Sequence, residues 1–315
     1  MNKVSAFGFA LGYLGGALAL IVALLLIGYG DSLGWSGEQK LRCGLAVMGL
    51  WWGIFSLPAI LFLRDRKAGR EPILIVETTT TTVADPAAPF ASPTTLETRK
   101  TLMVAVRSAF RDVRRTLGDM RDYRMLALFL IGFLLYNDCV QTVISQASNF
   151  AEKDLGFSTE ELIQVVLMIQ FVALPGSLFI GWLSDKIGQS KVLFLCLFTW
   201  AAILLSAWFV EEKIHFWIMG ACVALVMGGI QSVSRAIMGT MTPPEKSAEF
   251  FGFFNLSSKA TCFIGPLIFG AVYQSTGKYK LAILSLLAQL ILGMLIVSRV
   301  NVEKGRRDAR GGTAT

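Results

Sequence analysis

Residues 8–30 read GFALGYLGGALALIVALLLIGYG, an unbroken run of 23 residues without a charged side chain. A helix rises about 1.5 Å per residue, so this run is long enough to cross the roughly 30 Å hydrocarbon core of a bilayer. Lys3 precedes the run, as a basic residue precedes the apolar core of a signal peptide. The run is longer than the about 7–15 apolar residues of such a core. Residues 8–30 therefore predict a membrane-spanning helix.

Seven more runs of this kind follow along the chain. They lie at residues 42–63, 125–148, 160–182, 192–210, 214–235, 250–274 and 279–298. Hydrophobic residues make up 54% of the 315 positions and charged residues only 16%, which is too apolar for an ordinary soluble domain. Helices are expected, because lipid offers backbone groups no partners and the runs lack the alternation of a barrel strand. The sequence predicts an all-α membrane protein with about eight transmembrane helices.

The 29 Lys and Arg residues are distributed unevenly between the two sides of the predicted membrane. One side holds Lys40, Arg42, Lys153, Lys213, Lys278 and Lys280, while Lys259 falls inside a span. All the other basic residues lie in the two termini, in the 64–124 segment and in the 183–191 and 235–249 loops. Since the more basic side faces the cytoplasm, both termini and the 64–124 segment are predicted to be cytoplasmic. The net charge of +7 thus indicates topology, and no nucleic-acid partner is expected.

The 64–124 segment divides into two parts. Residues 65–96 carry a threonine run and four prolines, which is typical of a linker. From Thr94 onward, apolar residues recur every three or four positions between basic ones. This pattern predicts a basic amphipathic helix, which either lies on membrane lipids at the cytoplasmic leaflet or packs under the helix bundle. Its apolar residues are Leu102, Val106, Phe110, Val113 and Leu117.

Residues with catalytic or metal-binding spacing are not visible. The cysteines lie in or at the edge of predicted spans, without the short paired spacing of a metal site, at positions 43, 139, 196, 222 and 262. His215 is the only histidine, and neither paired aspartates nor a zinc-binding His motif occurs. We therefore expect no enzyme, no catalytic residue, no metal and no cofactor.

The loop after the fourth run reads GWLSDKIGQSK, residues 181–191. It resembles the G-x-L-x-D-[RK]-x-G signature of the major facilitator superfamily, which lies between the second and third helices of each six-helix half. The resemblance implies a latch that holds the cytoplasmic ends of helices and biases the conformational equilibrium. Its residues are Gly181, Asp185, Lys186, Gly188 and Lys191.

The residue types of this loop fit such a latch. Gly188 permits a tight turn, and Asp185 can accept hydrogen bonds from the amide end of a neighbouring helix. Gln189 stands where many members have a basic residue, so the latch is expected to be weaker. Ordinary loop charge is the alternative.

Three further stretches resemble one branch of the superfamily. They are GFALGYLGG at 8–16, YNDCVQTV at 136–143, and the region from GGIQ at 228–231 through EFFG at 249–252 to Gly265-Pro266. This branch is the vacuolar-effluxer-like, or autophagy-related protein 22-like, group, which includes amino-acid effluxers of fungal vacuoles and many bacterial proteins. The resemblance implies a secondary active transporter for a small polar solute, with amino acids favoured, that works by alternating access. It also implies a multi-pass protein of the bacterial cytoplasmic membrane.

The G-Y-L-G-G helix is the fifth of twelve in that family, so the resemblance implies helices five to twelve and an N-terminally truncated chain. Residues 1–63 are then the last two helices of the N-terminal half, and residues 64–124 the cytoplasmic linker with its basic amphipathic helix. Residues 125–298 form an intact C-terminal six-helix half, and residues 299–315 a basic cytoplasmic tail. The alternative is a non-transporting or partner-dependent membrane protein, with a partner that supplies the missing helices, or a transporter remnant.

Asp138 is the most informative polar residue of the spans. It lies 13 positions after Met125, or about 20 Å along its span, where an unpaired carboxylate is costly. It either couples a proton or contacts a cationic solute group, or it is satisfied by neighbouring helices. A charge pair with Lys259 is a further hypothesis. The predicted residues of a solute or proton pathway are Asn137, Asp138, Gln141, Gln231, Asn255 and Lys259.

Gly228 and Gly229 precede Gln231 in the sixth run. Paired glycines in a membrane helix most often let a neighbouring helix approach closely. The same role is predicted here.

Overall fold

The computed structural model describes residues 2–62, 123–260 and 263–311 of the chain. These residues form helices, turns and short connections, and no strand occurs among them. The described residues 2–55, 123–260 and 263–311 belong to one compact unit. The predicted linker and its amphipathic helix lie outside the described residues. The all-α fold predicted from the apolar runs is confirmed for the part that is described.

The helices follow in this order. They are α1 Asn2–Ser32, α2 Gly37–Phe62, α3 Arg124–Leu155, α4 Thr159–Ile187, α5 Gln189–Ser206, α6 Lys213–Met241, α7 Ser247–Ala260, α8 Ile264–Thr276, α9 Tyr279–Val297 and α10 Val302–Ala309. Single 3-10 turns follow α5 and precede α7, at Ala207–Phe209 and Pro244–Lys246.

Within the described ranges, seven helices are long and apolar enough to cross a membrane, namely α1 to α6 and α9. The run at 250–274, expected as one span, instead forms the two shorter helices α7 and α8. Pro266 lies in the first turn of α8. In an unbroken helix its ring would clash with the carbonyl four residues earlier and one hydrogen bond would be lost, whereas a first turn tolerates proline.

Glycines bring α4 and α6 into close contact. A methyl group on Gly176 of α4 would lie 2.7 Å from a backbone carbonyl oxygen of α6, and one on Gly229 of α6 would lie 2.6 Å from Ile180 of α4. A methyl on Gly228 would lie 2.7 Å from the ring of Tyr13, which α1 inserts between these two helices. The close helix approach predicted for Gly228 and Gly229 is confirmed.

The other contacts complete the bundle. α3 packs mainly against α9, and α5 packs against α6 and α9. At one end, the Ser158 side chain caps α4 by accepting from the amide of Glu161, whose carboxylate accepts in return from the amide of Ser158. Lys213, at the start of α6, lies 2.7 Å from the same carboxylate.

The opposite end, predicted to be cytoplasmic, contains the turn between α4 and α5 and the short helix α10. Gly188 alone links α4 to α5 with φ of +96°, a backbone conformation that favours glycine, which confirms the predicted tight turn. α10 packs against α3 and α6, where a methyl on Gly305 would lie 2.6 Å from Sδ of Met241. The sequence predicted only a basic tail at 299–315, so this helix is an addition to that prediction.

Candidate solute and proton pathway

Asp138 lies on α3 and is almost fully buried, with 1% of its surface exposed. Its Oδ2 accepts a hydrogen bond of 2.6 Å from the backbone amide of Gly265, in the first turn of α8. The same oxygen accepts a bond of 2.7 Å from Nε2 of Gln289 on α9. Asp138 therefore joins α3 to two other helices. We call Asp138, Gly265 and Gln289 the Asp138 cluster.

The break between α7 and α8 explains why Asp138 meets a backbone amide. The first amides of a helix lack an acceptor within the helix and carry partial positive charge. Phe263, at the N-cap position of α8, provides no side-chain acceptor. Asp138 supplies one from the neighbouring helix.

Glycine at position 265 lets α8 approach α3 closely. A methyl group there would collide with the side chain of Thr142 and would lie 3.2 Å from the carbonyl oxygen of Asp138. Thr142 is itself fixed, because its hydroxyl donates to that carbonyl at 2.8 Å. Any larger residue at position 265 would push α8 away from the carboxylate.

Gln289 is 5% exposed, and two contacts fix the orientation of its amide. Nε2 donates to Asp138 and lies 3.2 Å from the carbonyl oxygen of Leu135, so both neighbours of this nitrogen are acceptors. Oδ1 of Asp138 and Oε1 of Gln289 are both buried and receive no hydrogen bond from the described residues. The cluster thus holds two unpaired acceptor oxygens.

Gln289 is absent from the pathway residues predicted from the sequence. It stands alone in the apolar stretch LAQLIL at 287–292. An amide at that depth is costly unless it is hydrogen-bonded, so an isolated Gln in a span is a signal that could have identified it. Its partner cannot be read from the same signal.

A second polar contact lies close to the cluster along α3. The hydroxyl of Tyr136 and Oγ of Ser234 on α6 are 2.7 Å apart, and both residues are buried. Sγ of Cys139 donates to the carbonyl of Leu286 on α9 at 3.4 Å. Residues 136–139 therefore link α3 to α6, α8 and α9 within about one helical turn.

The other predicted pathway residues are spread over three helices. Asn137 is buried and Gln141 half-buried on α3, Gln231 is half-buried on α6, and Asn255 is exposed on α7. Lys259 also lies on α7, but its side chain is outside the described residues, so its pairing with Asp138 stays a hypothesis.

The predicted latch residues lie around the junction of α4 and α5. Gly181 is buried, while Asp185, Lys186 and Lys191 are exposed. Nζ of Lys186 lies 3.9 Å from the ring centroid of Trp182, which is a cation–π contact.

An open groove of about 800 Å³ connects the latch to the C-terminal segment. Its lining includes residues 184–185 and 187–191 of the junction, Thr240 of α6, and residues 298–303 with Arg306. The hydroxyl of Thr240 donates to Oε1 of Gln189 at 3.3 Å. The α4–α5 junction, the end of α6 and the start of α10 therefore lie at one end of the bundle.

Two cavities lie near the interface with α1. One, of about 260 Å³, is enclosed chiefly by aliphatic side chains of α3 to α6 and suits an apolar group better than a polar solute. Its Gln170 amide also lies against Gly16 of α1. The other, of about 570 Å³, opens between α1, α6 and α7 and contains Arg235, whose guanidinium carbon lies 5.9 Å from the ring centroid of Phe251.

Among the His, Cys, Asp and Glu side chains of residues 2–62, 123–260 and 263–311, no three lie close enough together to hold a metal ion.

The amino-acid sequence is similar to those of three relatives, one from a bacterium and two from fungi. It is 28% identical over 306 residues to a Bacillus subtilis (strain 168) protein named "Uncharacterized MFS-type transporter YxiO", covering 96% of this chain and 64% of the relative. It is 26% identical over 323 residues to "Autophagy-related protein 22-1" of Neosartorya fischeri, covering 98% and 49%. It is 25% identical over 316 residues to "Autophagy-related protein 22" of Yarrowia lipolytica, covering 98% and 51%.

The chain thus spans about half to two thirds of the length of these relatives. The family model described as "Vacuole effluxer Atg22 like" matches residues 1–310. With the long apolar helices, this makes the chain a multi-pass integral membrane protein of the major facilitator type. The chain belongs to the vacuole effluxer Atg22-like family.

Proposed function

We propose that the chain acts as a secondary active transporter that moves a small polar solute across the membrane by alternating access. The Asp138 cluster is the observation that carries this proposal. A buried carboxylate held by two other helices near the middle of a span is costly in lipid, and such groups commonly mark a solute or ion path. The break between α7 and α8 adds support, because transporters often build their sites where a helix is interrupted.

The solute class we propose is amino acids, and the direction is efflux. The resemblance to amino-acid effluxers supports the class, and the word "effluxer" in the family description supports the direction. The proposed location is the bacterial cytoplasmic membrane, which the similarity to the Bacillus subtilis relative supports. The proposed orientation, with both termini in the cytoplasm, rests on the distribution of Lys and Arg. The assignment of the spans to helices five to twelve remains a prediction.

The predicted residues take two roles in this proposal. Asn137, Asp138, Gln141, Gln231, Asn255 and Lys259 line the solute or proton path. Gly181, Asp185, Lys186, Gly188 and Lys191 bias the equilibrium between conformations. The groove that connects this latch to residues 298–303 supports the second role, because a shift at the α4–α5 junction would also move the start of α10.

A partner-dependent or non-transporting membrane protein is the second candidate. None of the 18-residue apolar window of α2 is buried. In this case a partner chain covers that helix and the chain conducts no solute alone.

Proteoliposomes that contain the purified full chain distinguish the two candidates. They are loaded with an equimolar mixture of radiolabelled amino acids, and release is measured after a pH gradient is imposed. We expect release above that of protein-free liposomes, and a slower rate for the latch variant Asp185→Asn. Asp154→Asn, an exposed change at the end of α3, is the matched control and should leave the rate unchanged. Folded protein that releases no more than empty liposomes would favour the second candidate.

A further inference from the structure

The Asp138 cluster contains more hydrogen-bond acceptors than donors. Gly265 and Gln289 both donate to Oδ2 of Asp138, but Oδ1 of Asp138 and Oε1 of Gln289 receive nothing from the described residues. Both side chains are more than nine-tenths buried. A buried acceptor without a donor costs free energy, and an ionised carboxylate costs more than a neutral group. A single hydrogen between these two oxygens would give each of them a hydrogen-bond partner.

The described surroundings offer no cation to balance an ionised Asp138. On α3 its titratable neighbours are Tyr136 and Cys139, which bond to Ser234 and to the Leu286 carbonyl. The ionisable residues of α8 and α9 lie eight or more positions from Gly265 and Gln289 along their helices. On α6, Arg235 is exposed in the cavity beside α1.

α4 and α10 also contact α3 and carry their charged residues near their ends or on the short C-terminal helix, namely Glu160, Glu161, Asp185 and Lys186 on α4 and Glu303, Lys304, Arg306, Arg307 and Asp308 on α10. The remaining element in contact with α3 is α7. It carries Glu249 near its start and Lys259 near its end, and the Lys259 side chain is outside the described residues. Glu249 has an interaction of its own and adds no positive charge. The described part of α7 therefore supplies no counter-ion either.

We propose that Asp138 carries a proton in this conformation, and that this is the coupling proton of the transporter. The coupling part of this inference rests on the proposed function, whereas the presence of a proton on Asp138 does not. A proton on Oδ1 removes the buried charge and turns an unpaired acceptor into a donor. Oδ2 still accepts from Gly265 and Gln289. The new O–H on Oδ1 can donate to Oε1 of Gln289, which receives no other hydrogen bond from the described residues. One O–H bond forms, one hydronium ion becomes water, and no other bond changes.

Coupling follows from the position of α8. Loss of the proton would leave a buried anion with one oxygen unpaired, so release requires water to reach Asp138. Water can reach it once α8 or α9 moves away, because the amide of Gly265 and the side chain of Gln289 cover the carboxyl. The proton thus binds the closed arrangement better than the open one, and that difference shifts the population between them.

Infrared spectroscopy of the purified full chain in lipid tests for the proton directly. A carboxylic acid and a carboxylate absorb at separate frequencies. The difference between wild type and Asp138→Asn should show the loss of a carboxylic-acid band, whereas Asp154→Asn should leave that band in place. Loss of a carboxylate band instead would overturn the proposal, and it is the result expected if a water molecule bridges the two oxygens.

The asparagine variant suits this test because it copies the protonated acid. Its amide oxygen can accept from Gly265 and Gln289, and its amide nitrogen can donate to Oε1 of Gln289. Should it fail to fold, Gln289→Leu gives the same answer, because the acid band of Asp138 must shift when the O–H loses its acceptor. An unchanged band in that variant would overturn the proposal that the O–H of Asp138 donates to Gln289.

Transport measurements test the coupling separately. In proteoliposomes with the amino-acid mixture, Asp138→Asn should move solute down its gradient but should lose accumulation driven by a pH difference. Asp154→Asn should accumulate like wild type. Accumulation by Asp138→Asn would overturn the coupling. If wild type moves no solute at all, the proposed function fails, while the infrared spectra still decide whether Asp138 holds a proton.

Discussion

The amide nitrogen of Gly265 lies 2.6 Å from Oδ2 of Asp138, so a side chain of α3 holds the first turn of a helix that begins at Ile264, 126 residues later. The contact requires both the break after α7 and the absence of a side chain at position 265. The break between α7 and α8 and the burial of the Asp138 carboxylate on α3 are therefore one arrangement. Changes at Gly265 should affect both.

Gly265→Ala should destabilise the protein, because the added methyl group collides with Thr142 and with the backbone of Asp138. Overpacking of this kind typically costs about 1–3 kcal/mol. Thermal unfolding of the purified chain in detergent measures the loss. Gly270→Ala is the matched control on the same helix, since nothing lies within 4 Å of a methyl group there. Equal unfolding temperatures for the two variants would contradict the close approach of α8 to α3.

Gly176→Ala should also lower the unfolding temperature. Its methyl group would meet the backbone of α6 at 2.7 to 3.1 Å, and backbone atoms cannot rotate away as a side chain can. A cost of about 1–3 kcal/mol is expected. Gly220→Ala is the control, because its nearest neighbour is the flexible end of Met168 at an ordinary 3.4 Å. The prediction fails if Gly220→Ala is the more damaging change.

Gly188→Ala tests the backbone instead of the packing. Nothing lies within 4 Å of an added methyl group, but φ of +96° with ψ of 148° belongs to a region that is almost confined to glycine. We expect a loss of about 1–3 kcal/mol from strain alone. Ser190→Ala, two residues further on, should be close to neutral in the same unfolding assay. A neutral Gly188→Ala would mean that the α4–α5 turn relaxes without cost.

Ser158→Ala removes the N-terminal cap of α4. The serine hydroxyl accepts from the Glu161 amide at 3.2 Å, and loss of such a cap costs about 0.5–2 kcal/mol. Ser275→Ala removes an exposed hydroxyl that bonds only within its own helix and should change stability little. Similar unfolding temperatures for both variants would indicate that the bond to Lys213 holds this end of α4 without the cap.

The positions of most spans could be predicted, because the length of an apolar run determines whether its helix can cross a membrane. The apolar runs correspond to α1 to α6 and α9, and Gly188 marks the turn between α4 and α5. The prediction of one continuous helix over 250–274 was wrong, because the hydropathy is uninterrupted there while the structure has the two helices α7 and α8. Pro266 carried the information in the sequence, but proline also occurs inside membrane helices, as Pro175 does in α4.

The candidate site could be predicted only in part. Asp138 was identified by the cost of a carboxylate in lipid, which is a property of one residue. Its partners Gly265 and Gln289 are 127 and 151 positions away, and their contact depends on how three helices pack. Helix periodicity does not contain that information. The charge pair with Lys259 stays a prediction, and because it requires an ionised Asp138 it is the alternative to the proton proposed above.

The position of the C-terminal helix α10 allows movements of the helix bundle to be detected at its surface. α10 lies against both α3 and α6, so a rearrangement between these two helices must also disturb α10. Arg306 and Arg307 are exposed in its last turn, and trypsin cleaves after arginine. The rate at which trypsin releases the peptide that follows Arg306 or Arg307, followed by mass spectrometry, therefore reports how often α10 leaves its place against α3 and α6, with no solute and no label.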